Sequence, residues 1–411
     1  MKLRLLAVTL AIGTAAIAFT VQAQRGPSSG PIARYDMRAG TMSGFGGMGG
    51  GKGGMMSMMM GGGGNQVQHE LLLRLGSSTA ATGAPKADHF MPAGAQLGKS
   101  VALTTPKVEP AYEEWKGEKP KGRLLLYWGC GEHAPKGQPV VLDFAKMAAG
   151  QFPPGLWTTS IPVDFGPSST NSKTFGHWPS DDGKSAKPNS SLIGAHKIIG
   201  NYSPEIDFTL TKDFMQPLSI SAVTQQSGSS LLTWRTIPDV TGFIATLIGG
   251  RQNGGQMGDM VMWTSSANRQ FGGGLTDWLS PGQVSPLVRD GTLMGPQVTT
   301  CTVPVEVTRD TPDYRVGTLA AFGPEENFSY PPRPADPKAR WDLQWTARVR
   351  HRSITNWMEA QGMTMGTSNS SMGQGAQTGP NQQGKQGKEC KKKGGLFGGL
   401  AGAVMGGGSG C

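Results

Sequence analysis

Charge is scarce in this 411-residue chain. Only 16% of its residues are charged, against about 25% in ordinary globular domains, and hydrophobic residues other than glycine make up 37%. Aromatic residues reach 7%, and there are four cysteines and six histidines. Beyond about residue 21 no apolar run is long enough to cross a bilayer as a helix. Heptads of Ala, Glu, Lys and Leu are missing, which excludes a coiled coil, and Gly does not recur at every third residue, which excludes collagen. The motifs Gly-x-Ser-x-Gly and His-Glu-x-x-His, a phosphate-binding loop and a Ca²⁺ loop are all lacking. The sequence assigns no catalytic set and no cofactor. What fills the gap is 63 Gly and 29 Pro. At about 150 residues per domain, the length leaves room for two or three domains.

The two ends are biased in different ways. Residues 1–23 read as a secretory signal peptide: Lys2 and Arg4 precede an apolar stretch, and Val21-Gln22-Ala23 offers small residues for cleavage. Removing them lowers the net charge from +10 by the two cations Lys2 and Arg4. Residues 24–95 read as a disordered Gly/Met-rich segment with room for one short helix near 69–75, because 13 of the 25 residues from 40 to 64 are Gly and ordering Gly costs the most backbone entropy. Residues 356–389 read as a flexible linker, and 390–411 as a Lys-rich tail. In that tail Gly394, Gly398, Gly402, Gly406 and Gly410 recur every fourth residue, a smooth stripe if helical. The stripe resembles the glycine zippers of bacterial envelope proteins.

The middle differs. Short runs rich in β-branched and aromatic residues, bounded by Gly, Pro, Asn and Ser, predict strands near 101–105, 123–128, 140–144, 206–211, 218–223, 230–234, 243–248, 260–264, 299–307, 318–322 and 341–352. The expected fold is mainly β: one or two β-sandwich-like domains (96–212 and 213–355) with a short helix, flanked by disordered Gly-rich arms. Ser280, Pro281 and Gly291 carry the start and stop signals of that helix. In the last strand Arg348, Arg350 and Arg352 share one face, opposite Trp345, Ala347 and Val349. A solvated outer face is the expected role of this row, and binding of an anion is the alternative.

The runs Pro217-Leu218-Ser219-Ile220, Ser230-Leu231-Leu232-Thr233-Trp234 and Pro238-Asp239-Val240-Thr241-Gly242-Phe243 resemble the start of a fibronectin type III-like module, over about 213–250. The resemblance implies a β-sandwich in which a Trp closes one strand. Tyr127-Trp128-Gly129-Cys130-Gly131 and Phe328-Ser329-Tyr330-Pro331-Pro332-Arg333-Pro334 resemble secreted or periplasmic proteobacterial proteins to which no activity attaches.

Four cysteines in an exported chain favour disulfides. Cys130–Cys301 is the expected pair, since both sit at the ends of, or within, predicted core strands. Cys390 and Cys411 would bridge within or between chains. A single helix across that interval would hold its ends about 30 Å apart, too far for an intrachain bond. Cys130-Gly131-Glu132-His133 also has the form of half a metal site or of a nucleophile and base, against which an oxidising compartment argues. Asp181-Asp182 and Glu325-Glu326 are the paired carboxylates to weigh for sugar hydrolysis, and His177-Trp178 with Tyr330 could form a sugar platform. Met55, Met56, Met58, Met59 and Met60 with His69 are candidate Cu(I) ligands.

These observations predict an exported, non-catalytic binding or assembly protein of the cell envelope, periplasmic or extracellular. Its tail would contact an envelope component, a membrane surface such as the outer membrane, or a second copy. A secreted hydrolase of an envelope polymer and a Met-rich periplasmic copper binder are the alternatives. Nucleic acid is not an expected partner despite the basic charge, because export separates the two.

Overall fold

The computed structural model describes residues 30–44, 67–106, 122–158, 164, 166–180, 182–253, 256–272, 274–275, 277–336, 338–360 and 363–365. The expected signal peptide, methionine cluster, the linker from 366 on and the glycine-zipper tail, with Cys390 and Cys411, lie outside the described residues.

In chain order, the strands begin with β1 (Ala33–Gly44), β2 (Gln68–Ser77), β3 (Ala87–Phe90) and β4 (Ser100–Ala102). Next come β5 (Arg123–Trp128), β6 (Val140–Asp143), β7 (Thr174–Trp178), β8 (Gly194–Gly200) and β9 (Ile206–Leu210). The rest are β10 (Ile220–Thr224), β11 (Ser230–Trp234), β12 (Gly242–Asn253), β13 (Gln256–Thr264), β14 (Thr300–Val303), β15 (Tyr314–Tyr330), β16 (Trp345–Ala360) and β17 (Met363–Met365). Among the described residues there are also a 3-10 turn (Ala93–Ala95) and three short α-helices, α1 (Phe144–Ala148), α2 (Pro281–Arg289) and α3 (Val305–Asp310). The fold is mainly β, as expected.

One ten-stranded sheet dominates, in the order β6-β5-β13-β12-β15-β16-β1-β2-β7, with β17 added on the far end of β16. Pairing is parallel at β1–β16 and β13–β5 and antiparallel elsewhere in this sheet. Two smaller sheets, β4-β3-β8-β9 and β10-β11-β14, pack against it. Side chains alternate across a strand, and β16 shows which face each small sheet covers. Trp345, Ala347 and Val349 join a core with Val101, Ile198 and Phe208 of the four-stranded layer. Trp357, further along the same face, joins a core with Ile220, Leu232 and Val303 of the three-stranded layer. The small sheets therefore sit side by side on one face, and the long strands β15 and β16 run beneath both. Helix α2 packs on the opposite face through Val284 and Leu287, against Ile244 and Phe322. Its capping box is complete: Ser280 accepts from the Gln283 N–H, and the Gln283 side chain accepts from the Ser280 N–H.

Several expectations are corrected. Residues 30–44 and 67–95 do not form a disordered arm: β1 and β2 are central strands whose Tyr35, Met37, Leu73 and Leu75 are almost fully buried. The short helix expected near 69–75 is β2. Glycine here serves close packing. A Cβ on Gly40 would meet the Trp278 ring and the Glu70 side chain at 3.1 Å. The expected boundary at 212/213 crosses the large sheet, which draws strands from both sides of it. The run 299–307 is broken at Pro304, which cannot donate to a ladder and instead opens α3. The last strand reaches Ala360, four residues past the expected linker start at 356.

The disulfide Cys130–Cys301 is formed, with Cα atoms 5.2 Å apart. It fastens the end of the β5 arm to β14, joining the two layers. Such a bond points to an oxidising compartment outside the cytosol. No helix among the described residues is long and apolar enough to cross a membrane.

Candidate functional site

The arginine row of β16 is not a solvated face. Arg350 is 1% exposed and Arg352 5%, because β1 and β2 lie alongside and Asp164 and the segment 277–279 pack over them. Register explains what meets there. Arg74 of β2, Asp36 of β1 and Arg348 of β16 form one lateral row, and Leu72, Arg38 and Arg350 form the next. In the third row Gly40 stands between Glu70 and Arg352. Strands two apart are separated by roughly 10 Å. With no side chain on Gly40, Glu70 and Arg352 reach across it and pair at 2.9 Å. Trp278 fills the space above Gly40, its ring 4.0 Å from the Arg352 guanidinium carbon.

Asp36 is the hub. It accepts from Arg38 Nε at 2.8 Å, Arg350 Nη2 at 3.0 Å and Arg348 Nε at 3.1 Å. Asp164 takes the other ends of the forks, pairing with Arg348 Nη1 at 2.6 Å and Arg350 Nη1 at 3.1 Å. Asp277 pairs with Arg38 Nη1 at 3.2 Å, and Arg350 Nη1 also donates to the Trp278 carbonyl. Burial pushes the Asp36 carboxyl up, but Arg350, Arg38 and Arg348 outweigh it and hold it below its ordinary value. Burial likewise opposes ionisation of Asp164. The hydrogen bond from Arg348, the charges of Arg348 and Arg350 and the Gly166 N–H bring it down to about 2. Both carboxylates are therefore ionised at neutral pH. Across this face, six guanidinium groups (Arg34, Arg38, Arg74, Arg348, Arg350, Arg352) meet four carboxylates (Asp36, Glu70, Asp164, Asp277), an excess of two positive charges among the described residues.

One end of this lattice opens to solvent as a cleft of about 650 Å³. Asp36, Asp164 and Arg348 form its floor, Arg34 and Asn171 one rim, and Asn327, Phe328, Ser329 and Trp341 the other side. Arg34 Nη2 donates to Asn171 Oδ1 at 3.1 Å, and no carboxylate among the described residues pairs with Arg34. Trp341 Nε1 donates to the Pro331 carbonyl at 3.0 Å, which fixes the indole at the wall.

A second polar cluster is fully enclosed. Tyr35 Oη lies 2.7 Å from His89 Nδ1, His89 Nε2 lies 3.0 Å from His196 Nδ1, and His196 Nε2 lies 2.7 Å from the Leu192 carbonyl. A carbonyl can only accept, so His196 carries its proton on Nε2. His196 Nδ1 then accepts from His89 Nε2–H, and His89 Nδ1 from the Tyr35 hydroxyl. Burial lowers the pKa of both rings, that of His89 well below the ordinary value, aided by its neighbour.

The remaining candidates are dispersed. Cys130 is spent in the disulfide, while His133 Nδ1 lies 3.1 Å from Glu306 Oε1, so Cys130 and His133 form neither a metal half-site nor a nucleophile–base pair. Trp178 is buried and its indole donates to Asp182; Asp181 lies outside the described residues. Tyr330 is 55% exposed and stacks on Trp345. Glu326 accepts from the Thr211 and Lys212 backbone, and Glu325 from Asn327. His69 stacks on Phe214, 3.8 Å between centroids. No cluster of three or more metal-ligating His, Cys, Asp or Glu occurs among the described residues.

Sequence reasoning missed Asp36, Arg38 and Glu70 because they fall in the glycine-biased segment. The signal was present: Arg34, Asp36 and Arg38 alternate with Ala33, Tyr35 and Met37 at the same two-residue period as the β16 row. Asp164 and Asp277 sit on loops and carry no such signal. Comparison with family models, curated proteins and solved structures finds no match to this chain.

Proposed function

We propose that this chain is an exported, non-catalytic binding module of the cell envelope, and that the cleft above Asp36 and Arg348 is its ligand site. One observation carries the reading. Both carboxylates on the cleft floor are held ionised by guanidinium contacts, Asp164 down to about 2. A glycosidase needs one carboxyl that keeps its proton at working pH. A neutralised ionic floor beneath polar and aromatic walls suits recognition instead. The disulfide supports an extracytoplasmic location.

Residues 220–357 fit the fibronectin type III-like resemblance. β10, β11 and β14 form one layer and β13-β12-β15-β16 the other, with Trp234 in the core between them. Helix α2 and its loops occupy the stretch between β13 and β14. In this reading the tail from 390 to 411 associates the module with the envelope or with a second copy.

Fractionation tests the proposal. The full chain is expected outside the cytosol, partly in the envelope fraction, with Cys130 and Cys301 blocked to thiol reagents. A version ending at residue 365, which keeps β16 whole, is expected there too, but released from the envelope fraction. A full chain found in the cytosol with free thiols would refute the export reading.

A further inference from the structure

We propose that the cleft takes an anionic sugar unit, with its carboxylate at Arg34 and its ring against Trp341. The inference rests on the reading of the chain as an exported binding module and names the ligand class. Arg34 is the rim cation with no carboxylate partner among the described residues, held only by Asn171. An arginine fork matches a carboxylate in two parallel hydrogen bonds. The floor does not repel an anion, because the Asp36 and Asp164 charges are already answered by Arg38, Arg348 and Arg350.

The rest of the cleft suits a polyhydroxylated ring better than an acyl chain or a bare ion. Trp341 is anchored by its N–H and offers an aromatic surface to the C–H face of a sugar. Asn327 and Ser329 line the same wall with amide and hydroxyl groups. The volume of about 650 Å³ lies within the range of small-molecule sites and far exceeds what a single inorganic anion fills.

The test is calorimetric titration of the full mature chain with tetragalacturonate, and with a neutral galactose tetramer of the same length. The uronate is expected to bind at least tenfold more tightly, with an affinity that falls as salt rises. Arg34→Ala should weaken the uronate at least tenfold and leave the neutral oligomer unchanged, whereas Trp341→Ala should weaken both. Arg34→Lys, which keeps the charge but loses the fork, should fall between. Unchanged melting temperatures will show that the variants fold. Equal affinity for the two oligomers, or an unaffected Arg34→Ala variant, overturns the proposal. Displacement of the uronate by millimolar inorganic phosphate, with Trp341→Ala silent, would show an anion site without sugar recognition and also overturns it. An oxidised, exported chain that binds neither oligomer defeats this inference and leaves the binding-module reading standing. A cytosolic, reduced chain defeats the reading itself.

Discussion

Acid should loosen this protein through the Tyr35–His89–His196 chain. The perturbation is a shift from pH 7.5 to 5.5. In the unfolded chain each histidine titrates near 6.5. In the folded protein both rings stay neutral to lower pH, since burial opposes their charging. Below pH 6.5 the unfolded state therefore binds more protons than the folded state, so stability is full above that pH and declines as pH falls. A ring that stays neutral throughout this interval loses about 1.4 kcal/mol, so the pair loses at most about 3 kcal/mol. That is a large share of the roughly 5–15 kcal/mol a domain possesses. The donor chain adds a geometric reason. A proton added to His89 Nδ1 forces the Tyr35 hydroxyl, buried beside it, to give up its acceptor. Urea titrations of the full chain at both pH values measure the loss. His89→Gln keeps one acceptor and one donor without a titrating group, and should reduce the acid sensitivity by the share of that ring. The double variant with His196→Gln should remove the pair's whole share and leave that of His351, His69 and His177, whose pKa values burial also lowers. If the double variant loses stability between pH 7.5 and 5.5 as steeply as the parent, the buried pair is not the acid sensor.

Four further outcomes are expected. Asp36→Asn should destabilise by about 3–5 kcal/mol, because it leaves the Arg38 and Arg350 guanidiniums, both nearly fully buried, without their shared counter-charge; a change under about 1 kcal/mol in denaturant titration would contradict the hub assignment. Cys130→Ser/Cys301→Ser opens a closure spanning 171 residues, worth about 5 kcal/mol in the chain-entropy picture, and the urea midpoint should fall accordingly. Gly317→Ala should cost at least about 1–3 kcal/mol, since the new methyl would stand inside the Trp357 ring; a thermal melt at the parent temperature would show that the ring can move aside. Gly40→Ala should separate Glu70 from Arg352 and displace Trp278, visible as a changed tryptophan emission spectrum.

The parts of this fold legible in the sequence were those whose cause is local. Ser280, Pro281 and Gln283 specify the start of α2 without help from elsewhere. The strands β11 and β13 follow from β-favouring runs between turn residues, and the pairing of Cys130 with Cys301 from their place in such runs. The ionic lattice was half legible. Alternation assigned Arg348, Arg350 and Arg352 to one face, but whether that face meets water depends on β1 and β2, some 270 or more residues away in sequence. Composition misled at β1, where Gly40 and Gly44 belong to the same glycine count as their neighbours. Yet each has a packing or backbone role: Gly40 under Trp278, Gly44 at a φ of +65°. Only tertiary contact separates such glycines from those of a linker.

The parallel pairing of β1 with β16 sets Ala33 beside Trp345 and Gly44 beside Asn356. During synthesis the first of these strands emerges long before the second, and until then its Tyr35–Met37 side has no lasting shelter on that flank. Assembly of the large sheet must therefore wait until β16 has emerged, a topology that folds slowly and exposes sticky intermediates. Such a protein should lean on holding factors during biogenesis, and its yield should suffer more from truncations that remove β16 than from changes in the outlying sequence.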